Sequence, residues 1–432
     1  MATLGARQAA ATFWLAVVVT GAGTGLATAA LMDLLYVVQH TLWPGAGMDL
    51  LDAASHADWP RHLAVLVAAG LLTGVGQFLL GRLAGSSIDV TTAIWLQAGR
   101  MPALRTFGSA VLSIVVVGMG ASLGREGAPK QAGAVIANTA SDAAGLPDET
   151  RRLLVACGAG AGFAAAYGVP LGGALFALEV VRRDLAPRFV LPALLTSVIA
   201  TGVSWLFLPD APTYQIPAYT SSLSVVAWAL PAGLVAGVVA VLFVRAVAWA
   251  DTHRPRGWLR LAAPPLALGL LGAVSIPFPQ ILGNGRDVAE LTFTGQIGPW
   301  LLLTLLLLKP AATLLCLGSG TPGGLFTPSL AVGALLGGVL GHGWSLFWPG
   351  VPPGLFALVG AAALVAATTQ GPVSTVVLMV ELTGHIRSFI LPLLLAVTTA
   401  TLTARLINAR SIYDARLTGE ELRRRDLALP ES

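Results

Sequence analysis

The sequence predicts an all-α, polytopic membrane protein built from two related halves. Three observations lead there. The 432-residue chain is 55% hydrophobic and only 11% charged, with a mean hydropathy of +0.78, whereas soluble domains are about 25% charged. Long apolar stretches recur from end to end. Glycine- and proline-broken segments occur twice, about two hundred residues apart.

The apolar stretches run, in order, over Thr12–Val38, His62–Leu83, Arg105–Leu123, Leu153–Val181, Phe189–Leu208, Leu223–Val244, Leu261–Ile276, Trp300–Leu317, Ser329–Phe347, Pro353–Leu382 and Ser388–Leu406. A helix needs about 20 apolar residues to cross a bilayer. These stretches therefore supply ten or eleven membrane segments, several tilted, broken or re-entrant. No soluble domain of useful size fits between them. The first stretch is long and followed by no A-x-A site, so it reads as a membrane helix rather than a leader. The expected layout is a short tail over 1–10, a membrane domain over 11–417 with halves at 11–210 and 223–417, and a second tail over 418–432.

Arginines cluster at Arg151–Arg152, Arg182–Arg188, Arg254–Arg260 and Arg405–Arg425. Such clusters mark the cytoplasmic side, which predicts cytoplasmic termini. The net charge of +4 comes mostly from these flanks. No basic stripe is interleaved with aromatics, which excludes a nucleic-acid surface. Cys157 and Cys316 lie inside apolar segments as buried thiols. The histidines lack metal spacing, so neither a metal nor a cofactor is expected. Lys309-Pro310, inside an apolar run, predicts a helix break or end.

The two halves echo each other. Gly158-AGAGFAAAYGVPLGGALFALE ends at Glu179, and Gly360-AAALVAATTQGPVSTVVLMVE ends at Glu381; Pro170 precedes Glu179 by the same interval that separates Pro372 from Glu381. The segment GMGASLGREGAPKQ at 118–131 has its counterpart in GSGTPGGLFTP at Gly318–Pro328. Duplicated halves with broken helices in matching places are a signature of ion-coupled transporters and related channels. A helix N-terminus offers free amides and a partial positive charge, so several converging ends bind an anion without a full cation. A full cation in dry surroundings would hold the anion too tightly, whereas conduction needs weak, multiple sites. Within the first segment Glu126 stands in a nearly charge-free chain, and a buried ionisable group in a membrane protein usually serves a substrate or ion path.

At these residues the chain resembles the CLC family of chloride channels and proton/chloride antiporters. The family's G-(K/R)-E-G-P motif is matched by Gly124-Arg125-Glu126-Gly127-Ala128-Pro129, with alanine where the family has proline. Its G-x-F-x-P motif is matched by Gly324-Leu325-Phe326-Thr327-Pro328. Ser411-Ile412-Tyr413-Asp414-Ala415 matches the tyrosine region near the end of the membrane domain. The G-S-G-I-P motif departs most: Gly85-Ser86-Ser87-Ile88-Asp89 keeps the serine but carries aspartate in place of proline. The resemblance spans about Gly85 to Leu417.

It implies the CLC fold of two inverted halves around one pore, and a homodimer with a pore in each subunit, the stretch around Thr383–Leu406 lying at the interface. An anion entering hydrocarbon needs donors to replace its water. By the resemblance these are the hydroxyls of Ser86 and Tyr413 and the amides of Leu325 and Phe326, with the amides around Glu126 and Gly127 completing an outer part of the path. Glu126 is the expected gate. Ionised, its carboxylate competes with the anion for the site; protonated, it leaves. The family's inner proton relay is the second of two glutamates; here Glu179 matches the first, and Val180 stands at the relay position. Glu179 therefore reads as a structural residue paired with Arg182 or Arg183 before it reads as part of a proton path, and channel and antiporter both stay open.

Serine at the position of Ser86 goes with chloride in the family, while fluoride, nitrate or a small organic anion are the alternatives. The organic-anion carrier would show a roomier site with fixed cations. Gly120-Ala121-Ser122-Leu123-Gly124 matches a nucleophile elbow, but its flanks are membrane helix rather than strand. Gly318-Ser319-Gly320 lacks the lysine of a P-loop. No enzyme is expected.

Overall fold

The computed structural model describes residues 2–45, 49–85, 88–385, 389–407, 410–417, 419–421 and 423, the side chains of 2–6 excepted. Its elements are α1 (Ala2–Leu42), α2 (Leu50–Ser55), α3 (Trp59–Ala84), α4 (Val90–Leu96), α5 (Ala103–Gly118), α6 (Gly127–Ala143), α7 (Asp148–Tyr167), α8 (Pro170–Phe176), α9 (Pro187–Ser204), α10 (Leu223–Thr252), α11 (Leu259–Ser275), α12 (Arg286–Phe293), α13 (Pro299–Gly318), α14 (Phe326–Ser345), α15 (Pro353–Thr369), α16 (Pro372–Thr383) and α17 (Ile390–Leu406). Six of them are long and apolar enough to cross a membrane, and five shorter apolar helices accompany them among the described residues. This is the all-α, polytopic fold expected.

Helix pairing follows the repeat. α1 packs on α9 as α10 packs on α17; α3 packs on α5 as α11 packs on α13; α6 packs on α7 as α14 packs on α15. Large apolar side chains left on outer faces, such as Leu71 and Leu79 of α3, Leu242 of α10 and Leu266 of α11, suit a hydrocarbon surround. α15 is buried from Gly354 to its end and α7 from Leu153 to its end, so these two form the centre. Their alanine and glycine runs let backbones approach closely.

The breaks repeat with matching hydrogen bonds. After α5, the amides of Met119, Gly120 and Ala121 return to the carbonyls of Val115, Val117 and Val116; after α13, those of Ser319, Gly320 and Thr321 return to Leu315, Leu317 and Cys316. Gly120 and Gly320 both take positive φ, 111° and 95°, where a side chain would be strained.

Two expectations are corrected. The segment read as a tail, 1–10, is helical from Ala2 onward, because Ala-rich sequence extends a helix readily. No break falls at Lys309-Pro310: α13 runs through Pro310. The fully buried Lys309 ammonium donates to the carbonyls of Ile281 (2.9 Å), Leu282 (3.4 Å) and Gly283 (2.9 Å). Its three donors are all used, so the residue anchors a loop.

Candidate functional site: a carboxylate docked on a helix N-terminus

The two glycine-rich breaks meet in the core. Gly124 and Gly324 form a single antiparallel bridge, the Gly124 amide donating to Gly324 O at 2.8 Å and the Gly324 amide to Gly124 O at 2.7 Å. α6 and α14 start immediately beyond this bridge. Glu126 precedes α6 as its N-cap residue but does not cap it. Its carboxylate crosses to the other half, where the Phe326 amide, in the first turn of α14, donates to Oε1 at 2.7 Å.

Two hydroxyls complete the seat. Thr327 Oγ1 donates to Glu126 Oε2 at 2.9 Å, and Tyr167 OH donates to the same oxygen at 3.1 Å. The two hydroxyls also lie 2.6 Å from each other. Glu126 is only 3% exposed. A Cβ at either Gly124 or Gly324 would overlap the carboxylate, so only bare backbone on both strands of the bridge leaves room for it. No ion pair joins Glu126 to Arg125 among the described residues; the Arg125 guanidinium lies over the Tyr167 ring, 5.0 Å from its centroid. The carboxylate is thus held by neutral donors and a helix dipole. If it leaves, one amide and two hydroxyls aim at a vacated spot sized for a small anion.

An aromatic chain runs from this seat to Tyr413. Phe163 contacts Tyr167 at 5.0 Å, Phe326 at 4.8 Å and Phe176 at 4.9 Å, and Phe176 meets the Tyr413 ring edge-on at 5.9 Å. Tyr413 is buried, and the Lys130 ammonium lies over its ring face, 4.5 Å from the centroid. Beyond it is a face rich in ion pairs. Arg182 pairs with Glu149 at 2.5 Å, Arg183 with Asp414, and both Arg254 (2.6 Å) and Arg416 (3.1 Å) with Asp251. The pairs tie together the arginine-bearing segments that the sequence places on one side.

The structure brings together Glu126, Gly127, Leu325 and Phe326. Gly127 opens α6 against the Gly323–Gly324 backbone, and Leu325 is the buried N-cap residue of α14. Tyr413 stands at the far end of the aromatic chain. Ser86 lies outside the described residues. Glu179 does not pair as expected: its carboxylate accepts from the amides of Val373 (3.1 Å) and Ser374 (2.6 Å) at the start of α16, while Arg182 and Arg183 take the acids named above. Its repeat mate Glu381 accepts from Leu171 (3.0 Å) and Gly172 (2.6 Å) at the start of α8. Each half caps a helix of the other.

Sequence reasoning missed Tyr167, Thr327 and Lys130. Tyr167 closes the α7 run just before the Gly168 stop, and no spacing rule links it to Glu126. Thr327 lies within the second motif, and its place in the first turn of α14 was the available signal. Lys130 follows Glu126 by one helical turn in a segment buried on every side, where a lysine is conspicuous.

Fold and site define the class: an α-helical membrane protein of inverted halves whose broken helices meet around an anion-type seat. The chain belongs to the voltage-gated chloride channel family, also called CLC, which it matches over residues 65–405. It is 34% identical over 414 residues to a ClcB-like chloride channel protein of Ralstonia nicotianae, covering 91% of this chain and 94% of that one. It is 30% identical over 396 residues to the H(+)/Cl(-) exchange transporter ClcA of Vibrio parahaemolyticus, covering 85% and 83%. Among solved structures it superposes on a slow cyanobacterial Cl-/H+ antiporter with a TM-score of 0.81 at 23% identity, over 96% of this chain and 98% of the other.

Proposed function

We propose that the protein carries chloride across a membrane through a CLC-type pore, with Glu126 as the gate. The observation behind this reading is the Glu126 carboxylate seated on the Phe326 amide and the two hydroxyls. The carboxylate is a tethered anion in an anion's place. Protonation removes its charge and weakens all three bonds; chloride then takes the donors. Proton occupancy and anion occupancy are coupled through one side chain.

Ser86, Gly127, Leu325, Phe326 and Tyr413 are the proposed anion-binding residues, carried over from the family motifs. The ion-paired arginine face is the proposed cytoplasmic side, with both termini there, and the assembly is a homodimer in the cell membrane. The ClcB-like relative bears the name of a channel and ClcA that of an exchanger. Val180, buried at 3% exposure, cannot relay a proton; an antiporter mechanism in this chain would bring protons to Glu126 along water.

The test is anion efflux from liposomes. Glu126→Gln is expected to keep chloride efflux while losing its dependence on pH. Unchanged pH dependence would remove Glu126 from the gate. Reversal potentials under a proton gradient then separate exchange, which shifts with the gradient, from a channel, which does not.

A further inference from the structure

We infer that the Lys130 ammonium is a fixed cationic element of the anion path, a binding group for a small monovalent anion at the inner end, beside Tyr413. This rests on the anion-transport reading above and adds a charged group to a path otherwise built from neutral donors.

Lys130 follows Glu126 by one turn of α6, its amide donating to the Glu126 carbonyl at 3.2 Å. The residue is 9% exposed. Its ammonium makes neither a hydrogen bond nor an ion pair with any described residue, and a buried charge left so needs a compensating partner. The contact it does make is the face of the Tyr413 ring, which bears the proposed coordinating hydroxyl. An anion accepting from that hydroxyl lies within direct Coulomb reach of the ammonium. The buried Lys309 shows the contrast, since three carbonyls use all of its donors.

The charged groups facing Lys130 are Asp89, Arg416 and Glu126. Asp89 is engaged as the N-cap of α4, accepting from Thr91 N at 2.9 Å. Arg416 is tied to Asp251, which also holds Arg254. Lys130, Arg254 and Arg416 are thus matched by Asp89, Asp251 and Glu126 while Glu126 is ionised; once Glu126 is protonated one cation is in excess, and an anion balances it. A fixed cation deepens the site, so the expected phenotype is tight binding and slow release.

The experiment is chloride titration of the purified full chain by calorimetry, alongside liposome efflux. Lys130→Met and Lys130→Gln are both expected to weaken chloride binding by about tenfold or more and to speed efflux at saturating chloride. Asp89→Asn keeps the helix cap while removing a competing negative charge, so it should tighten binding. If Lys130 serves only to neutralise Asp89, the sign reverses and Asp89→Asn weakens chloride as Lys130→Met does; that result overturns the inference. A loss under about threefold in both lysine variants also overturns it. If Lys130→Met fails to fold, Lys130→Gln and the sign of Asp89→Asn still decide. Wild-type protein that neither binds nor carries chloride would defeat the transport reading itself, whereas tight wild-type binding unaffected by the lysine variants defeats this inference alone.

Discussion

The centre and the rim of this molecule both join the two halves by a glutamate placed on a helix N-terminus, and they do it differently. At the rim the exchange is reciprocal: Glu179 caps α16 and Glu381 caps α8, each through two backbone amides. At the centre it is one-sided. The repeat sets Gly124 opposite Gly324 in a mutual bridge, yet the position matching Glu126 is Phe326. One half contributes a carboxylate, and the other contributes an amide with nothing of its own to cap it. Symmetric contacts satisfy every group they touch and build scaffold. The broken symmetry leaves a donor site filled by a tethered carboxylate from the other half.

That contrast can be broken experimentally. The largest effect is expected from Gly324→Ala. The added methyl occupies the carboxylate's place, so efflux should lose its pH dependence as in Glu126→Gln, with a stability cost of about 1–3 kcal/mol in detergent melts. Retained pH dependence would mean the seat is not where gating happens. Next, Glu179→Gln and Glu381→Gln should lower stability by similar amounts, about 1–2 kcal/mol each, and leave the pH profile in place. Loss of proton coupling in Glu179→Gln alone would move that residue from scaffold to proton path. Smallest is Tyr167→Phe. It removes one donor to the docked carboxylate, worth about 1 kcal/mol, and pH-activated efflux should begin at less acid pH because the docked form is weakened. An unshifted profile would leave Thr327 and Phe326 as the donors that matter.

Much of the site was legible because the CLC motifs are local. Glu126 and Phe326 each sit in a short run whose glycines and prolines announce a broken helix, and Tyr413 sits in a short Ser-Ile-Tyr-Asp run that matches the family pattern. The donors Tyr167 and Thr327 were not legible as partners of Glu126, since their approach depends on how α7 and α14 cross. Glu179 shows the limit from the other side: arginines three and four residues on invited a local ion pair, but helix ends 194 and 195 residues away took the carboxylate instead, and Arg182 found Glu149.

The sequence by itself determined the setting, the repeat and the residue types at the breaks, because hydrophobic length, backbone-breaking residues and charge placement act over a turn or two of chain. Only the tertiary structure decided which donors surround Glu126, which acid each arginine takes, and that Lys130 is left facing Tyr413. Those are competitions between groups far apart in sequence, and burial in a common core settles them.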